Sequence, residues 1–194
     1  MNIEISQIAN LPSKFGNFKV KSFKEPYQNG YREHLVIYKE NLETTPIVRV
    51  HSECLTGDAL GSLKCDCGEQ LEYALELAEK TNGMVIYLRQ EGRNIGLLNK
   101  INAYALQDEG LDTVEANHQL GFAADERTYE IVTYILHHFN ISKIKLLTNN
   151  PDKINSISDV EIVQRVPIIM KPNSHNAGYL DTKKNQMGHL LEEE

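Results

Sequence analysis

Residues 68–110 read GEQLEYALELAEKTNGMVIYLRQEGRNIGLLNKINAYALQDEG. Leu71, Ala74, Leu75 and Ala78 recur at the spacing of one apolar helix face, while Glu72, Glu76 and Glu79 fall opposite. This predicts an amphipathic helix over 68–81, with Gly83 as its stop. Val85–Arg89 is then a short apolar run, read as a buried strand. It ends in QEGRNIG, Gln90–Gly96, a glycine-bearing turn that leads into a second helix from about Leu97 to Glu109, closed by Gly110. Helix, strand, turn and helix in succession mark an α/β chain.

Outward from this stretch the pattern changes. The first 50 residues alternate short apolar runs with turn signals. Phe18–Val20, Leu35–Tyr38 and Ile47–Val50 read as strands, and Pro26 and Asn29-Gly30 as turns. Downstream, a helix is expected from about Arg127 to Phe139, with Tyr129, Val132, Leu136 and Phe139 on one face. Lys143–Thr148 reads as a strand, Asn149-Asn150-Pro151-Asp152 as the start of a short helix, and Val160–Val166 as a last strand. The fold class is therefore α/β with α+β character: a mixed β-sheet flanked by helices, with antiparallel strands at the N-terminal end. Residues 1–170 are expected to form one domain. Residues 171–194 are polar and Asn-rich, and are expected to be a partly mobile tail.

A length of 194 residues suits a single domain with a real core. The formal charge of −7 makes the surface repel nucleic acid and anionic membrane, so any anionic ligand needs a local basic pocket. No nucleic-acid or membrane partner is expected. The N-terminus lacks a signal-peptide pattern, and apolar runs such as Met84–Leu88 are too short to span a bilayer. A cytoplasmic protein with reduced thiols is the expectation, and an odd number of cysteines argues against a disulfide framework.

All three cysteines, Cys54, Cys65 and Cys67, lie within fourteen residues. Free buried cysteines are common in cores, but Lys64, Asp66 and Gly68 make this a polar stretch. Three thiolates with no fourth suit a catalytic zinc that keeps one position open. Asp66 would turn away, and Gly57 and Gly61 would let the chain return. His51-Ser52-Glu53 resembles the H-x-E of zinc deaminases, but Cys65-x-Cys67 does not match their P-C-x-x-C. The Gln90–Gly96 loop could present backbone N–H groups and Arg93 to a phosphate, or could be a plain turn. Asp125 reads as an N-cap, with Glu126 favouring the helix dipole. Asn117-His118 reads as a surface loop. Thr148–Lys153 ends a strand, where ligands of open α/β sheets sit. Tyr104 falls on the core side of its helix.

Together, RVHSECLTGDALGSLKCDCGEQLE, RQEGRNIGLLNKINAYALQDEG, DTVEANHQLGFAADER and LLTNNPDK resemble GTP cyclohydrolase II, and LDTKKNQMGHLL resembles the C-terminal end of that family. The resemblance implies a GTP cyclohydrolase II-like fold and the first step of riboflavin biosynthesis. In that step GTP and water give 2,5-diamino-6-ribosylamino-4(3H)-pyrimidinone 5′-phosphate, formate and pyrophosphate. It implies one zinc per chain on Cys54, Cys65 and Cys67, with water directed at guanine C8. It implies GTP contacts from Arg49, Val50, His51, Ser52, Glu53, Gln70, Glu91, Gly92, Arg93, Thr113, Thr148 and Lys153. Asp125 would be the proton acceptor, Arg127 the nucleophile toward the α-phosphate or else a stabiliser of its charge, and Tyr104 a catalytic tyrosine. Mg²⁺ would accompany the triphosphate, and the chain would form a homodimer. The alternatives are a zinc nucleobase deaminase, which would release ammonia, and a non-catalytic GTP-binding regulator, which would release nothing.

Overall fold

A computed structural model describes residues 2–28 and 30–191. Eight strands form one mixed sheet: β1 (Glu4–Ile5), β2 (Ala9–Ser13), β3 (Gly16–Tyr27), β4 (Gly30–Tyr38), β5 (Ile47–Ser52), β6 (Met84–Leu88), β7 (Lys143–Leu147) and β8 (Glu161–Val166). The order is β1-β3-β4-β6-β5-β7-β8, with β2 paired to β3. Pairings from β1 through β4 to β6 are antiparallel, and β6-β5-β7-β8 are parallel. The expected mixed sheet with antiparallel N-terminal strands is what forms.

The helices are α1 (Leu55–Asp58), α2 (Cys67–Thr81), α3 (Gly96–Asp108), α4 (Thr113–Gln119), α5 (Glu130–His138), α6 (Pro151–Ser156) and α7 (Ala177–Asn185), with a 3-10 turn at Glu91–Asn94. Helices cover both faces of the central strands, so those strands are apolar on both sides. Val36, Val48, Val50 and Ile86 meet Ile131, Val132, Ile135 and Leu136 of α5. Their alternate neighbours, Ile37, Val85 and Leu147, meet Ala74 and Ala78 of α2. Burial of each large side chain contributes about 1.5–3 kcal/mol, which fixes the register of β5 between two cores.

Local chemistry explains four departures from the sequence reading. Pro26 lies inside β3, opposite Tyr31, and not in a turn. Beyond Lys24 the other edge of β3 has no partner strand among the described residues, so the missing proline N–H leaves no ladder bond unmade. Asn29 lies outside the described residues. Helix α5 begins at Glu130 and not Arg127, because the Asp125 carboxylate accepts from the Arg127 N–H at 3.0 Å and holds 125–127 in an Asx turn. Asp125 is therefore no N-cap. Asn117 and His118 belong to α4, which starts from a complete Asp112/Glu115 capping box. The end of α2 is set by Asn82, left-handed at φ 48°, and not by Gly83.

Candidate active site

The parallel strands β5, β6 and β7 all deliver their C-terminal ends to one cleft, the position at which open α/β sheets bind ligands. β5 runs on through Glu53 to Cys54, β6 into Gln90–Asn94, and β7 into Thr148–Lys153. Strand alternation sorts the β5 side chains. Arg49 and His51 turn toward the α2 face. Arg49 donates to the Gln70 Oε1 on α2 at 2.5 Å and to the Leu147 carbonyl at 3.0 Å. Ser52 turns the other way, and its Oγ accepts from Arg127 at 3.4 Å.

Cys54, Cys65 and Cys67 form a cluster whose sulfurs all lie within 4.8 Å of one another, with Cys54 and Cys65 3.7 Å apart. Ligands at about 2.3 Å from a tetrahedral zinc stand about 3.8 Å apart, so this donor set fits a soft divalent metal. Gly57 creates the space. A Cβ there would meet the Cys65 sulfur at 2.8 Å and the Cys54 sulfur at 3.1 Å. Hydrogen bonds from Cys65 and Cys67, with Lys100 alongside, pull the Cys54 thiol down into the thiolate range, and the Cys65 thiol rises to about 11 in answer to it. Asp66 does turn away from the sulfurs, as expected. It accepts from Lys183 of α7 at 2.6 Å and from Gln70 at 2.6 Å. Burial disfavours its charge, but Lys183 more than compensates and its pKa is lowered.

Asp58 organises the loop before the cluster. It receives Cys54 N–H at 2.9 Å and Tyr87 O–H at 2.7 Å, and sits 3.0 Å from His51 Nε2. Burial lowers the His51 pKa, so the ring is neutral. Glu53 is held by Arg89 at 2.9 Å. His51 and Glu53 are thus spent on Asp58 and Arg89, and among the described residues the group able to hold a metal is the three cysteines. Tyr104 O–H lies 3.5 Å from the Thr56 hydroxyl, which stands 3.8 Å from the Cys54 sulfur. Burial pushes the Tyr104 pKa up to about 12, so it keeps its proton.

The rest of the cleft is cationic. Among the described residues, seven Lys and Arg side chains line it (Arg49, Lys64, Arg93, Lys100, Arg127, Lys153 and Lys183), against the two carboxylates of Glu53 and Glu91. Burial draws the Arg49 guanidinium down to about 10, which leaves it charged at neutral pH. Lys153 donates to the Val50 carbonyl at 2.8 Å, and burial together with Arg49 and Arg127 lowers its pKa well below the usual value. Arg127 is gripped by Asp125 through Nε, at 2.9 and 3.1 Å, and through an Nη. Gly92, Arg93 and Asn94 are all left-handed, at φ 62°, 58° and 78°, which stores strain in the loop that presents Arg93.

Of the residues singled out from sequence, all but two line this cleft. Val50 packs into the α5 core and offers only its carbonyl, to Lys153. Asp125 reaches the cleft through Arg127. The sequence reading gave no role to Lys100, Tyr179, Lys183 and His189, which also line it, as do Gln90, Asn149 and Asn150 of the two loops it had marked. Lys100 had a signal, since it precedes Tyr104 by one helical turn and shares its face. The α7 residues had no motif chemistry to mark them, only the likeness of LDTKKNQMGHLL to the family's C-terminal end. Residues 171–191, read as a polar tail, carry α7 and close one side of the cleft.

The GTP cyclohydrolase II family model matches residues 4–167. The chain is 64% identical over 193 residues to GTP cyclohydrolase-2 of Campylobacter hominis, spanning 100% of this chain and 98% of that protein. It is 63% identical to the protein of the same name from Campylobacter fetus subsp. fetus, at 100% and 98% coverage. It is 55% identical to that of Helicobacter pylori strain Shi470, at 97% and 98%. The matched range contains the thiol cluster, the left-handed loop and the strand ends that carry the cations, and the chain belongs to the GTP cyclohydrolase II family of enzymes.

Proposed function

We propose that the chain converts GTP and water to 2,5-diamino-6-ribosylamino-4(3H)-pyrimidinone 5′-phosphate, formate and pyrophosphate, the opening step of riboflavin biosynthesis. One observation carries this reading. A protein of net charge −7 gathers seven Lys and Arg side chains among its described residues in the same cleft as three converging thiols. The cations suit a triphosphate, and the thiols suit a hydrolytic metal.

Zinc on Cys54, Cys65 and Cys67, one per chain, would supply Lewis acidity and an activated water for attack at guanine C8. Neutral Tyr104 stands over that centre as a proton donor to the opening ring. Arg49, Arg93, Thr148 and Lys153 hold the triphosphate, and Ser52 helps to place Arg127. Arg127 acts at the α-phosphate as a fixed cation. Asp125 and Tyr129 favour its charge against the cost of burial, so the guanidinium holds its proton firmly. That pairing supports electrostatic stabilisation over attack by the guanidinium. Asp125 then orients Arg127 and accepts protons only as the pair loosens. Gln70, His51 and Glu53 act through the network that fixes Arg49 and the thiol loop. Thr113 opens α4 at the cleft wall. Mg²⁺ would ride on the phosphates, because Glu53 and Glu91 are already engaged.

Residues 1–170 act as one domain, with 171–191 as the flap of its cleft. A homodimer is part of this proposal, and exposed Leu97, Leu98 and Ile101 on α3 offer apolar surface for one. No helix among the described residues is long and apolar enough to cross a membrane, which suits a small-molecule substrate in solution.

Zinc-loaded protein incubated with GTP should yield formate and pyrophosphate. Ammonia in place of formate would establish the deaminase reading, and binding without product the regulator. Cys54→Ser should lose zinc and formate release together. Arg127→Ala should slow pyrophosphate release about 100- to 1,000-fold, and full-rate release would refute its role.

A further inference from the structure

Lys100 is buried, with 8% of its surface exposed, and its ammonium has two partners. Its Nζ stands 3.2 Å from the Cys54 sulfur and 2.6 Å from the Glu91 Oε1. Glu91 is itself spent on the loop. Its Oε1 also accepts from Gly92 N–H at 2.9 Å, and its Oε2 accepts from Leu55 N–H, next to Cys54, at 2.6 Å. The left-handed Gly92 lets the lysine stem pass, since a Cβ there would press on the Lys100 Cβ at 3.0 Å.

We propose that Lys100 is a positioning residue for the metal centre. Its ammonium donates to the Cys54 sulfur and offsets the surplus negative charge of a three-thiolate site, and Glu91 is the clamp that holds it there. The inference rests on reading Cys54, Cys65 and Cys67 as metal ligands. Three thiolates and a divalent cation sum to −1, and the ammonium sets a positive charge 3.2 Å from one of those sulfurs, with the Glu91 carboxylate that clamps it 2.6 Å from the same nitrogen. An N–H donor on a thiolate withdraws electron density from the sulfur, so the metal stays a stronger Lewis acid than three bare thiolates would leave it. A plain Lys–Glu pair would need no sulfur. Glu91, whose oxygens are all engaged inside the protein, then serves the centre through Lys100 and Leu55 and not through the nucleotide.

The test uses full-length protein loaded with cobalt(II) or zinc(II). Lys100→Met should move the thiolate-to-cobalt charge-transfer band to lower energy, and should weaken zinc binding in chelator competition about 10- to 100-fold. Lys100→Arg, which keeps charge and donor, should restore most of both. Glu91→Gln should shift the band in the same direction, by less. A folded Lys100→Met protein with an unmoved band and unchanged zinc affinity overturns the proposal, as a mere structural ion pair would alter only stability. Should that variant fail to fold, Lys100→Gln is read the same way, and an unmoved band there is equally decisive against it. A wild-type protein with no thiolate-to-cobalt band at all refutes the metal reading beneath it instead.

Discussion

Lys153 and His189 both sit among cations, and that predicts how protons follow the ligand. Burial, then Arg49 and Arg127, lowers Lys153, while burial followed by Lys183, Arg127, Lys153 and Arg93 draws His189 down to about 3. A polyanion in the cleft reverses the charge part of both shifts. Nucleotide binding should therefore favour the protonated form of each, so that any proton exchange read from buffer-varied calorimetry is uptake; net release would contradict this placement. For folding, the sign follows from the same shift. His189 in the free protein stays neutral to about pH 3, whereas in the unfolded chain it protonates near 6.5. The unfolded state therefore binds more protons between those values, and stability falls as pH drops through that window. In His189→Gln this part of the acid sensitivity should disappear from urea titrations run across that range.

At the scale of elements, β5 holds the site because it is packed from both sides. Leu136 on α5 is fully buried in the core that carries Val48 and Val50. Leu136→Ala should cost about 2–5 kcal/mol in denaturant titration, with zinc content retained by the molecules that fold. Gly57→Ala should do the opposite. Its Cβ would crowd two sulfurs, so metal should be lost with little change in helix content by circular dichroism. Strands β3 to β8, α2, α3 and the short α6 were legible because their apolar spacing or N-cap signals are local, whereas β2 is exposed throughout and, like the two-residue β1, carries no apolar run. The start of α5 was not, since a side chain of Asp125 competes with the helix for the Arg127 N–H. Helix α4 was legible in principle from Asp112-x-x-Glu115. The cysteine cluster could be read from its count alone, but the lysine of α7 that braces it could not. Lys183 meets Asp66 across 117 residues, and no sequence window contains that pair.

For the molecule as a whole, the cleft is assembled from ranges of chain that differ greatly in length. The thiol cluster spans residues 54 to 67, whereas the cationic half draws on residues 49 to 183. Removing residues 171–194 should leave a folded, metal-binding protein whose KM for GTP rises steeply, as Tyr179, Lys183 and His189 are lost from the wall. An unchanged KM would show that α7 only decorates the cleft. The sharing of Asp66 between a lysine of α7 and a glutamine of α2 also has a consequence in time. During synthesis from the N-terminus, the cysteines leave the ribosome more than a hundred residues before Lys183 does. A nascent chain could therefore take its metal while still tethered, and would become competent for nucleotide only as its last helix docks on Asp66. Release from the ribosome, rather than metal supply, would then mark the moment at which a new copy starts to turn over.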